Sequence, residues 1–179
     1  FIHIPKNGGT ALRAALKGAC PDLKNFDAID AEHRKRRDPA LANHFPIWRI
    51  ERLLKETGAG VPFDRMRTVM VVRNPWERMV SLYRHRMRKL HAWYDGKPRN
   101  APEDIRVAQK GFVPWLLTTP SEGDSVLTRM AQSEWGKNDR GQYVVGRVLR
   151  QECLSADWFD LLEDFGLPRA NLQELQGVL

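Results

Sequence analysis

Two cysteines in 179 residues are too few for a disulfide scaffold, and neither Cys20 nor Cys153 has a companion at metal-ligand or redox-pair spacing. Free thiols are the expectation, with a Cys20–Cys153 disulfide as the alternative. Histidine and cysteine do not cluster anywhere, so no metal is expected. Long hydrophobic runs are also missing: no stretch approaches the roughly 18 apolar residues that a bilayer span requires, and no charged-then-apolar leader is present. Internal repeats and low-complexity tracts are absent, and nothing marks a second domain, so residues 1–179 read as one domain. The chain starts at Phe1 inside an apolar stretch and stops soon after its last patterned helix. Truncation at the N-terminus, and at the C-terminus as well, is therefore expected. A bacterial cytoplasmic setting is the working expectation, with a lumenal form anchored by an upstream segment as the alternative.

Acidic residues are the minority among the charges, 22 against 29 lysines and arginines, which leaves a net charge of +7. The basic runs lie at 33–37 and 84–89. Such a balance draws anions, and nucleic acid, acidic saccharides and polyanionic nucleotides all qualify. Aromatic residues are not interleaved with the basic runs in an RNA-binding pattern, which sets nucleic acid aside.

What the chain does contain is a phosphate cradle. Residues 1–10, FIHIPKNGGT, run from an apolar strand through Lys6 and two glycines into a helix. Gly8 and Gly9 let the backbone approach a ligand closely, Thr10 supplies a hydroxyl, and the free N–H groups at the helix start face an anion. Lys6 adds a mobile positive charge. Alone, this run reads equally well as an ordinary strand-to-helix turn with an exposed lysine.

A second unit of the same design follows at residues 69–83, VMVVRNPWERMVSLY. Val69 to Val72 read as a buried strand of a parallel sheet. Arg73 leaves its carboxyl end, Asn74 stands at an N-cap position and Pro75 at the first helical position. Trp76, Val80, Tyr83, Met87 and Leu90 keep helical spacing. Asn74, Arg78, Ser81 and His85 form a separate polar stripe, the expected ligand face. Arg73 and Ser81 together offer a fork of donors and a point donor, a set that fits a phosphate monoester. Two strand-loop-helix units imply an α/β domain with a central parallel sheet flanked by helices, and a ligand with two separated anionic groups.

These two runs resemble the sulfotransferases that use 3'-phosphoadenosine-5'-phosphosulfate (PAPS), in particular the carbohydrate type with IPKTGGT and VRNPxxRxxSxY patterns. The resemblance implies a three-layer fold like that of P-loop NTPases. It implies that Lys6, Asn7, Gly8, Gly9 and Thr10 bind the 5'-phosphosulfate, and that Arg73 and Ser81 bind the 3'-phosphate. Asn7 stands where threonine is common. Residues 143–168 resemble the same family's late strand and RxExLxxDF helix, with Arg150, Glu152, Leu154 and Asp157 matching. There Arg150 and Glu152 are expected to order the turn, and Gly146 interrupts an apolar strand.

Sulfonate transfer needs a deprotonated acceptor hydroxyl and neutralisation of charge on the departing phosphate oxygen. Lys6 is assigned the second task. For the first, five histidines are available, and a neutral imidazole suits proton acceptance near neutral pH. His44 is the chosen base. It stands just before a helix opened by Pro46, with Ile47, Ile50, Leu53 and Leu54 on the buried face and Gly58 at the end, and it resembles a histidine between the cofactor motifs in the hexuronic-acid 2-O-sulfotransferase branch. His3, beside the cradle, is the rival. His33, His85 and His91 are the remaining candidates.

Residues 93–142 match the family loosely. An apolar patch, Phe112 to Leu117, reads as a short helix, while Trp115, Trp135 and Lys137 read equally as acceptor-site, core or surface residues. The expected reaction is transfer from PAPS, leaving the desulfated product PAP, to a hydroxyl acceptor, a saccharide by resemblance, without a metal. A kinase-like enzyme is disfavoured because lysine precedes the glycines and Arg73, rather than aspartate, ends the later strand. A polyanion-binding module without activity is the other alternative.

Overall fold

A computed structural model describes residues 1–19, 44–57, 63–94, 101–118 and 128–167. Cys20, His33 and Gly58 lie outside the described residues. The fold is α/β, with a small parallel sheet and six α-helices among the described residues. The chain divides into two compact units, Phe1–Val72 with Ala131–Leu179, and Arg73–Met130.

In the first unit, β1 (Val69–Val72) and β2 (Arg147–Arg150) pair in parallel, Val69 opposite Arg147 and Val72 opposite Arg150. The four-residue apolar run expected as a buried strand is this β1. The opening segment joins β1 as a single parallel bridge between Ile2 and Met70, with the Ile2 amide donating to the Val69 carbonyl at 2.8 Å. It is shorter than the strand expected there, because Pro5 cannot donate to a ladder and the chain turns at Lys6. Gly146 breaks the late apolar run as its sequence indicates. A Cβ on Gly146 would lie 3.2 Å from the Thr68 carbonyl oxygen, and the Gly146 amide donates to Thr68 Oγ1 at 2.8 Å, so β2 starts one residue later.

Helix α1 (Gly9–Ala19) and the C-terminal helix, Leu154–Phe165, cover one sheet face. Ala11, Leu12, Ala15 and Leu16 from α1 meet Val69, Val71 and Leu149, together with Leu154, Trp158, Leu161 and Leu162. Alternation puts Met70 on the other face, where it is also buried. Helix α2 (Ile47–Thr57) forms where Pro46 was expected to open it, and its carbonyl accepts from the Arg49 and Ile50 amides. The helix buries Ile47, Ile50 and Leu54 and packs against a 3₁₀ helix, Gln132–Gly136, whose Trp135 is fully buried.

The described residues of the second unit are mainly helical. Helix α3 (Pro75–Tyr94) is capped by Asn74, whose Oδ1 accepts from the Trp76 and Glu77 amides at 3.0 and 3.4 Å. Helices α4 (Glu103–Ala108) and α5 (Phe112–Leu117) pack on it through Leu82, Ala108 and Trp115, and through Leu90, Ala101 and Ile105. The apolar patch expected as a short helix is α5. The buried line of α3 is Arg78, Leu82, Arg86 and Leu90, whereas Trp76 is 72% exposed. Arg86 sits inside because Asp104 meets it, Nε to Oδ2 at 2.6 Å, and because its Nη2 donates to Thr128 Oγ1 at 3.0 Å. The close Nε approach lies off the N–H axis, so it is an ion pair rather than a directed hydrogen bond. The C-terminal helix, Leu154–Phe165, is α6 in chain order. Its Asp157 carboxylate accepts from the Arg150 amide at 2.7 Å and from the Arg150 guanidinium through Nε and Nη2 at 3.4 and 3.2 Å. Arg150 therefore orders the β2-to-α6 turn, the role expected of it.

Candidate functional site

The site begins with the loop between Ile4 and α1. Lys6 has φ 69°, the one non-glycine residue with positive φ among the described residues, and Gly8 has φ 73°. A left-handed lysine is disfavoured by about 1–2 kcal/mol, and such backbone persists only where its surroundings hold it. Alternating left-handed turns around Asn7 bend the chain sharply, and the Gly8 carbonyl then accepts from the Ala11 and Leu12 amides to start α1. A helix start of this form turns the amides of its first residues outward, without intrahelical acceptors. Gly9 is required by packing: a Cβ there would lie 2.1 Å from His3 Cδ2. Thr10 is exposed and Lys6 half-buried.

Asn7 behaves differently from its neighbours. Its side chain is turned inward and is 1% exposed. Nδ2 donates to the Val71 carbonyl at 2.7 Å and to Gln132 Oε1 at 2.6 Å, while Oδ1 is buried with no hydrogen-bond partner among the described residues. The protein itself holds the Asn7 side chain. Gln151, at the end of β2, reaches the same loop, its Cγ lying 3.4 Å from a Cβ placed on Gly8.

The two leading histidines are brought together beside this loop. Their ring centroids are 4.5 Å apart, and the His3 ring also stacks on Phe1 at 5.7 Å. His44 Nδ1 lies 3.0 Å from the His3 carbonyl oxygen. A carbonyl only accepts, so Nδ1 donates to it, and in the neutral ring this leaves the lone pair on Nε2, the tautomer that a proton acceptor needs. His3 is different: burial first, then the charges of His44, Arg13 and Lys6, push its pKa down to about 3. It is neutral at physiological pH and too weak a base to hold a proton there.

In the second unit, Arg73 and Ser81 line one surface groove of about 970 Å³ on α3, with Trp76, Glu77, Arg84 and Arg88. Glu77 Oε2 accepts from Arg73 Nε and Nη2 at 3.3 and 3.2 Å and orients the guanidinium. The polar stripe Asn74, Arg78, Ser81 and His85 does not stay together as a ligand face. Asn74 is occupied in capping, and Arg78 is 2% exposed, donating to the Thr128 and Met130 carbonyls at 2.6 and 3.3 Å. Burial lowers its pKa to about 10, which leaves it charged at neutral pH. Trp115 and Trp135 belong to the core, with 1% and 0% exposure.

Sequence reasoning missed Gln132, Gln151 and Glu77. Glu77 had a usable signal in its i,i+4 spacing from Arg73. Gln132 had a fainter one: asparagine at position 7 carries two amide protons where threonine has one hydroxyl proton, and a buried second proton needs an acceptor. The described residues hold no group of His, Cys, Asp and Glu that could bind a metal ion, and no described helix is long and apolar enough to cross a membrane. Cys153 carries a free thiol.

The donors offered by the loop and the groove, main-chain amides, a lysine, an arginine and a serine hydroxyl, are those that phosphate oxygens require. A family model described as "Sulfotransferase family" matches residues 1–176. No curated protein and no solved structure matches the chain.

Proposed function

The chain belongs to the sulfotransferase family, and from that premise we propose that it moves a sulfonate group from PAPS to a hydroxyl of a carbohydrate acceptor. When bound, PAPS supplies the sulfonate and departs as PAP. Lys6, Asn7, Gly8, Gly9 and Thr10 hold the 5' end through main-chain amides, the lysine ammonium and the threonine hydroxyl. Arg73 and Ser81 hold the 3'-phosphate. We read residues 1–179 as one sulfotransferase domain of the three-layer, P-loop-like kind.

The observation that carries this reading is the conformation of the cradle: left-handed Lys6 and Gly8 opening α1 in a chain of this family. Lys6 meets charge that develops on the leaving phosphate oxygen. His44 accepts the proton of the acceptor hydroxyl at Nε2, because the His3 carbonyl fixes the proton on Nδ1. No step in this scheme calls for a metal.

The test is PAP binding by calorimetry alongside transfer of radiolabelled sulfonate from PAPS to a panel of saccharides. Binding with transfer to at least one saccharide is expected. Binding without transfer to any acceptor would favour a polyanion-binding module. Failure to bind PAP together with hydrolysis of ATP would favour a kinase-like enzyme.

A further inference from the structure

We infer that Gln132 is a positioning residue for the anion loop, acting on it through Asn7. The inference rests on the reading of Lys6–Thr10 as the donor-binding loop. Asn7 sits between two left-handed residues, Lys6 at φ 69° and Gly8 at φ 73°. The Lys6 conformation relaxes unless the middle of the loop is held. Both protons of the Asn7 amide do the holding, one on the Val71 carbonyl of β1 at 2.7 Å, the other on Gln132 Oε1 at 2.6 Å. The first acceptor is main chain and survives any side-chain substitution. The second is a side chain.

Gln132 has firm support. It opens the 3₁₀ helix Gln132–Gly136, in which Trp135 is fully buried and Gly136 lies under the Tyr143 ring, where a Cβ would come within 2.5 Å of Tyr143 Cε2. The acceptor therefore sits on a fixed element, and the loop is tied to it at the residue between its two bends. Asparagine in place of threonine and glutamine at position 132 make one device: the second amide proton of Asn7 calls for the acceptor that Gln132 provides. Without it, a buried N–H donor loses its partner, the costly half of a broken hydrogen bond.

The test uses the whole chain. Gln132→Ala should raise the KM for PAPS and the Kd for PAP about ten-fold, the effect of one orphaned buried donor, with kcat changed less than about three-fold. In protein without nucleotide, amide hydrogen exchange at Gly8 to Thr10 should speed up about ten-fold, while the thermal midpoint falls by no more than a few degrees. Gln132→Glu keeps the acceptor and should restore affinity. The pair Asn7→Thr with Gln132→Ala removes the orphaned proton and should recover most of the loss. Wild-type PAP affinity and wild-type loop exchange in Gln132→Ala would overturn the inference alone. So would a lowered midpoint and active fraction with KM unchanged, since that describes a residue serving stability only. Faster loop exchange in Gln132→Ala with no PAP binding by either protein would refute the donor-loop reading, and with it this role.

Discussion

Lys6 combines a charge placed for chemistry with a backbone conformation that lysine disfavours. Two substitutions separate these properties. Lys6→Ala and Lys6→Gly both remove the ammonium, and turnover at saturating PAPS should fall on the order of 10²-fold or more in each, with PAP bound more weakly through the remaining donors. Lys6→Gly relieves the left-handed strain that Lys6→Ala retains, so urea unfolding should find it more stable than Lys6→Ala by about 1 kcal/mol. Wild-type turnover in either variant would remove Lys6 from the chemistry. The histidine pair is decided by similar reasoning. His44→Ala should lower kcat by about 10²- to 10⁴-fold and abolish the ionisation of a base from the pH–rate profile. His3→Gln should leave that ionisation in place, because the hydrogen bond from His44 is accepted by a main-chain carbonyl of residue 3 that the substitution keeps. A profile lost in His3→Gln and kept in His44→Ala would reverse the assignment.

At the scale of the element, α3 shows how a basic helix can be half core. Leu82 and Leu90 are buried as apolar spacing dictates, but Arg78 and Arg86 are buried in line with them. Each guanidinium is accommodated by a specific acceptor set, carbonyls of residues 128 and 130 for Arg78, and Asp104 with Thr128 for Arg86. This moves Trp76 outward and leaves Arg73 and Ser81 on the open face. Arg86→Met should cost about 3–5 kcal/mol in denaturant unfolding, because it leaves Asp104 charged and buried without its partner. Adding Asp104→Leu should recover most of that loss. If Arg86→Met unfolds like wild type, the pair is not a structural anchor of α3 and α4.

For the molecule as a whole, acid is the expected weakness. The His3 pKa is held at about 3 in the folded chain against an ordinary 6.5. Below pH 6.5 the unfolded chain takes up a proton that the folded chain refuses until about pH 3, so stability falls as pH drops through that window. Asp157 acts in the same direction at lower pH. Burial alone would favour its acid form, but hydrogen bonds and charge from Arg150, aided by Arg147, hold it below the ordinary carboxylate value. The stability it contributes is lost as pH falls through the carboxylate range. Urea unfolding of wild type should show up to about 2 kcal/mol lost between pH 7 and pH 5, and His3→Gln should lose less over the same interval. An equal loss in both proteins would mean that His3 is not the group responsible.

Local pattern alone determined the loop, β1, the Asn74 cap, α3 and α5, because each depends on residues close in sequence: glycines after an apolar run, four consecutive aliphatics, an asparagine before proline, a helical repeat. The choice between ligand face and core face on α3 was decided only by tertiary structure. Arg78 and Ser81 look alike as polar helix positions until the carbonyls of residues 128 and 130, some fifty positions away, take Arg78 inside. The same holds for Asn7, which sequence assigns to the ligand and the fold ties to β1 and Gln132. The His44 tautomer likewise depends on a carbonyl 41 residues upstream. Hydrophobic period and backbone chemistry are local and can be read along the chain. A polar side chain takes its role from the acceptor that meets it, and only folding brings that acceptor near.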